Sequence, residues 1–106
     1  MDRVSINVSI TPSAAQAQIK SQITADLVHQ EHHTLGDHEV IVMVFEKFYF
    51  RNNSTAGLTV TISNDSGATC VNAVASAGGQ GLFNISWGAN SSFAYQVQRI
   101  LSAYEI

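Results

Sequence analysis

Arg3-Val4-Ser5-Ile6-Asn7-Val8-Ser9-Ile10-Thr11-Pro12 (RVSINVSITP) changes its period at its last two residues. Val4, Ile6, Val8 and Ile10 alternate with Ser5, Asn7 and Ser9, the period of a strand with one buried face. Thr11 followed by Pro12 then reads as a helix start, with Thr as the cap and Pro at the first helical position. Ala15, Ile19, Ile23 and Leu27 follow at steps of four, a single apolar stripe along an amphipathic helix. A one-sided strand running directly into a one-sided helix predicts a helix laid over one face of a sheet. The stripe fades into Gln30-Glu31-His32-His33, read as a solvated helix end and loop, and Gly36 marks the turn that follows.

The remainder supplies that sheet. Val40 to Phe50 is rich in β-branched and aromatic residues and reads as a long strand, with faces left ambiguous because Val40 to Phe45 is apolar on both sides. Arg51-Asn52-Asn53-Ser54 is turn chemistry. Leu58, Val60 and Ile62 alternate with Thr59, Thr61 and Ser63, and Asn64-Asp65-Ser66-Gly67 turns the chain again. Thr69 to Ala77 reads as a strand with small inward residues, Val71, Ala73 and Ala75. Gly78 to Gly81 breaks it, and Leu82 to Trp87 resumes with Phe83, Ile85 and Trp87 on one face. Gly88 and a cap among Asn90, Ser91 and Ser92 open a last helix with the stripe Phe93, Val97, Ile100, Leu101 and Tyr104.

The expected architecture is one α+β domain over residues 1–106, a two-layer sandwich of order β-α-β-β-β-β-α. Its antiparallel sheet carries both helices on one face, as a reduced helix-grip or TATA-binding-protein-like arrangement. The first strand is expected at the sheet edge beside the last.

Charged residues make up only 12% of the chain, against about 25% in an average soluble domain. Ser, Thr, Asn and Gln fill the deficit. The solvent side of the sheet is expected to carry Ser5, Asn7 and Ser9 with Asn72, Val74, Ser76, Thr59, Thr61, Ser63, Leu82, Asn84 and Ser86. Such a face gives up its water without stripping a full charge, which suits association with a protein surface. The net charge of −3 and the scattered cations Arg3, Lys20, Lys47, Arg51 and Arg99 argue against a nucleic-acid partner, which needs clustered Lys and Arg. A basic leader followed by an apolar run is not seen, and Val40 to Phe45 is too short to cross a bilayer. A cytoplasmic location with no membrane partner is expected. Asn-x-Ser/Thr triplets at Asn7, Asn52, Asn53, Asn64, Asn84 and Asn90 are expected to be accidental in so Ser- and Asn-rich a chain.

Ala77-Gly78-Gly79-Gln80-Gly81 contains the tripeptide that release factors carry into the peptidyl-transferase centre. An acidic chain without a basic tail does not suit that role, and glycines between two apolar strands are expected on backbone grounds alone. His29, His32, His33 and His38 lie near Glu31 and Asp37, yet lack the HExxH spacing, so no metal and no cofactor are expected. Strict alternation puts Glu46 among Val44, Phe48 and Phe50, where a carboxylate could act as acid or base. A bulge at Glu46-Lys47, or an ion pair with Arg51 or a neighbouring strand's cation, is the favoured alternative. Cys70 has no adjacent cation to activate it, and no intrachain disulfide is possible.

Val44-Phe45-Glu46-Lys47-Phe48-Tyr49 with Arg51-Asn52, Leu58-Thr59-Val60, Gly78-Gly79-Gln80-Gly81-Leu82-Phe83 and Trp87-Gly88 resembles a family of small bacterial proteins, mainly from Firmicutes, classed as a domain of unknown function. The resemblance spans nearly the whole chain and implies a bacterial cytosolic protein, with no activity or catalytic residue to carry over. The expected function is non-enzymatic: self-association as a homo-oligomer, or binding of a protein partner, through the open sheet face. The alternative is a small apolar ligand held between sheet and helices, in a cavity lined by Phe45, Phe48, Phe83 and Trp87 with Glu46 at its edge. Glu46, Arg51, Gln80 and Trp87 are the candidate binding residues.

Overall fold

The computed structural model describes residues 2–50, 53–65, 67–77 and 89–106. Strand β1 (Asp2–Val8) leads into helix α1 (Pro12–Gln22), and four strands follow: β2 (Asp26–Leu35), β3 (His38–Tyr49), β4 (Ser54–Ser63) and β5 (Thr69–Ala77). Helix α2 (Ala89–Leu101) and a 3-10 turn (Ser102–Tyr104) complete the chain. The five strands form one antiparallel sheet in the order β1-β5-β4-β3-β2.

The predicted class and order, β-α-β-β-β-β-α, hold, but one strand is not where the periodicity put it. Helix α1 stops at Gln22, and the stretch expected to be a helix end and loop is β2. Ile23 is already extended, its N–H closing the last turn on the Ile19 carbonyl at 3.0 Å. Thr24 then ties the exit to α2, its N–H and hydroxyl both donating to Gln96 Oε1 at 3.1 Å. At the other end the predicted cap is present, Thr11 Oγ1 accepting from the Ala14 N–H at 3.2 Å with Pro12 first in the helix. The expected strand over Leu82–Trp87 and the glycine turn before it lie outside the described residues. The strand that flanks β1 is β5.

Register explains the core. Val4 faces Ala73, Ala73 faces Val60 and Val60 faces Met43, so one inward row crosses four strands. Ile6, Val71, Ile62 and Ile41 form the next row. All of these are buried, together with Ile19 of α1 and Phe93, Val97 and Leu101 of α2. Both helices cover this one face, α2 over β1, β5 and β4, and α1 against β3, β4 and α2. Each fully buried aliphatic side chain contributes roughly 1.5–3 kcal/mol of transfer free energy, so the helices are held by burial rather than by propensity.

The two sheet edges differ. The chain's own C-terminal segment lies along the end of β1: Tyr104 O accepts from the Ser9 N–H at 2.8 Å, and the Ile106 N–H donates to Asn7 O at 3.0 Å. At the opposite edge every residue of β2 is exposed.

Candidate functional site: the open sheet face and its histidine edge

Alternation that buries one side of β1, β5, β4 and β3 presents the other side to solvent. Ser5 faces Asn72, Asn72 faces Thr61 and Thr61 faces Val42, and the adjacent row runs Asn7, Cys70, Ser63 and Val40. On the other side of the Ser5 row lie Val74, Thr59 and Val44. These three rows carry no charge among the residues just named. Arg3, Glu46 and Glu31 stand at their borders. The face predicted from β1, β4 and β5 is therefore present. Val40, Val42 and Val44 of β3 add an apolar stripe to it, which the doubly apolar run Val40–Phe45 did not reveal by alternation. Cys70 is half-buried here, with Asn72 Nδ2 3.8 Å from its Sγ.

Glu46 lies on this side, opposite Gly57 and next to Asp26 across the β2–β3 pair. The β3–β4 register runs unbroken from Val40 to Tyr49, so the bulge expected at Glu46-Lys47 does not form. Its carboxylate is exposed because glycine opposite it provides no cover, and not desolvated among aromatics. Phe48 shares its face and stacks edge-on against Phe50, ring centroids 5.0 Å apart. Arg51, Gln80 and Trp87, the other candidate binding residues, lie outside the described residues.

The ligand cavity expected between sheet and helices loses one of its walls. Phe45 points inward and is 1% exposed, whereas Phe48, three residues on, lies on the opposite face at 46%. A shallow cleft of about 370 Å³ occurs elsewhere, at the end of the sheet among Ser9, Thr11, Asn64, Thr69 and Ile106.

The histidines occupy a strand, not a helix end. His29, Glu31 and His33 alternate along the solvent side of β2, opposite Val44, Val42 and Val40. His29 Nε2 meets Glu31 Oε2 at 2.7 Å, and His33 Nε2 meets Oε1 at 2.8 Å. A carboxylate only accepts, so both imidazoles place their proton on Nε2. The bond from His33, followed by that from His29, holds the Glu31 carboxyl below the ordinary glutamate range. On the helix side of the same strand, His32 Nε2 lies 2.9 Å from Glu39 Oε1. Among the described residues no three His, Cys, Asp or Glu side chains converge on a metal position.

The signal that could have found this strand is Gly36-Asp37. Gly-Asp between two runs of strand residues is a two-residue hairpin turn with glycine first, and Gly36 takes φ +62°. Hydrophobic alternation could not reveal β2, because a strand exposed on both faces needs none.

Among the described residues no helix is long and apolar enough to cross a membrane. No curated protein and no solved structure matches the chain. A family described as one of unknown function, DUF6054, matches residues 1–105, and the chain belongs to it.

Proposed function

We propose that this chain is a non-enzymatic cytoplasmic interaction domain that self-associates by packing its open sheet face against a second copy. One observation carries the reading: rows of Ser, Thr, Asn and Val cross β1, β5, β4 and β3 with charge only at their borders. A solvated antiparallel face ordinarily carries Lys and Glu in its alternate positions. Here the valine stripe of β3 lies along one side of the face, beside the hydroxyl and amide groups of β4 and β5, which lose little on dehydration. Sheets packed face to face need such a layer.

Sedimentation velocity on the wild type and on Val42→Lys and Thr61→Lys tests it. A charge within the face is expected to lower the subunit count while circular dichroism stays unchanged. An unchanged count in both variants overturns the reading.

A further inference from the structure

We propose that the exposed edge of β2 is a second, separate contact, pairing antiparallel with β2 of another copy about a two-fold axis at His32. This deepens the self-association reading and rests on it, but it assigns a different surface.

The main-chain geometry sets which groups are free. The Glu39 N–H donates to Asn64 Oδ1 at 2.7 Å, and its carbonyl accepts from the Asn64 N–H at 3.3 Å. Both groups of Glu39 therefore face away from β2, and Thr34, its partner across the β2–β3 pair, cannot bond to them. Antiparallel pairs alternate, so Thr34, His32 and Gln30 all point their N–H and C=O outward from the sheet. After the irregularity between Leu27 and His29, the pairing from His29 to Leu35 is regular. No Lys, Arg or Pro occurs anywhere in β2. Exposed edges are ordinarily guarded by Lys, Pro, a bulge or a covering segment. The end of the β1 edge, from Asn7 to Ser9, has its cover in the C-terminal segment. The run His29–Leu35 has none among the described residues.

The sequence of this run matches itself in reverse. Centred on His32, the regular run lies opposite its own copy from end to end. Gln30 faces Thr34 of the second copy, and both carry outward main-chain groups. Glu31 faces His33 of the second copy on the solvent side, and the reverse pair repeats the match. Opposite-charge and hydrogen-bonding pairs directly across an antiparallel ladder are favourable, and like charges are not. Moving the axis to Glu31 sets carboxylate against carboxylate, and moving it to His33 leaves His29 and Gln30 opposite the turn at Asp37 and Gly36. A two-fold of this kind keeps the same faces on the same side. The open faces of the two copies then join into one wider uncharged surface.

The test uses the outward N–H of His32. Proline there removes a donor that the β2–β3 pair does not use, so His32→Pro is tolerated by the fold as edge prolines are. His32→Lys, which leaves the backbone intact, sets like charges opposite each other at the axis and covers the case in which the proline variant fails to fold. Each is read by sedimentation velocity on the full chain, alone and combined with Val42→Lys. The expected result is a twofold drop in subunit count from either β2 variant, whether or not Val42 is replaced. A count equal to that of the matched parent, including a parent already monomeric, overturns the edge pairing. If Val42→Lys alone lowers the count, the face reading survives that result. If only the β2 variants lower it, the face reading falls and the edge stands.

Discussion

Asn64 joins two turns through four bonds, one of them from its N–H to Glu39 O at 3.3 Å. Its Oδ1 accepts from the Glu39 N–H at 2.7 Å, its Nδ2 donates to Asp37 O at 3.3 Å, and its carbonyl accepts from the Gly67 N–H at 3.1 Å. Asn64→Ala removes the two side-chain bonds and leaves a half-buried main-chain donor unpaired. The expected loss is about 1–3 kcal/mol in urea denaturation, larger than a surface Asn would give. Glu31 makes a second residue-scale prediction. Its folded carboxyl titrates below its unfolded value, so its contribution to stability is present above the ordinary glutamate range and is lost as pH falls through the lowered folded value. Carbon-detected NMR titration should find the Glu31 midpoint below that of a free glutamate. In His33→Gln it should move back upward, and a midpoint unmoved in the variant would sever Glu31 from its imidazole partner.

At the scale of the element, the β2–β3 hairpin depends on its turn. Gly36 at φ +62° sits in the left-handed region, with open space where a Cβ would stand. Gly36→Val should therefore destabilise by about 1–2 kcal/mol through backbone strain alone, and Gly36→Asn by clearly less. Equal losses for the two would show that the turn is held by something other than its backbone angles. Helix α2 depends on burial: Phe93 is fully buried, and Phe93→Ala should cost about 3–5 kcal/mol in the same denaturation experiment. These elements show how far the sequence could be read. Val4, Ile6, Val8, Leu58, Val60, Ile62, Phe93 and Val97 were legible because each lies on an element with one wet side, and burial on one side writes a period. The strand carrying the histidines was not, since both of its faces are wet and the apolar stripe of α1 happens to continue in step as far as Leu27. The orientation of Val40–Phe45 was hidden for the opposite reason. Its inner residues meet the core, and its outer ones form the valine stripe of the open face, so neither side needed to be polar.

For the whole molecule, the layer of helices on one side leaves the other side of the sheet to define what the protein can meet. Of the candidate binding residues named from sequence, Glu46 lies at the border of that side. What the spacing of residues could not show is that β3 contributes its valines there and that β2 ends the sheet with an edge uncovered among the described residues. On the proposed function, the open face accounts for a chain with so few charges: contact surfaces are depleted in Lys, Glu and Asp at their centres. The most direct test of self-association is native mass spectrometry of the untagged full chain with no ligand added. The account predicts masses at whole multiples of the bare chain, with nothing else retained. A single-chain mass would contradict it, and a single chain carrying extra mass would point instead to a bound small molecule.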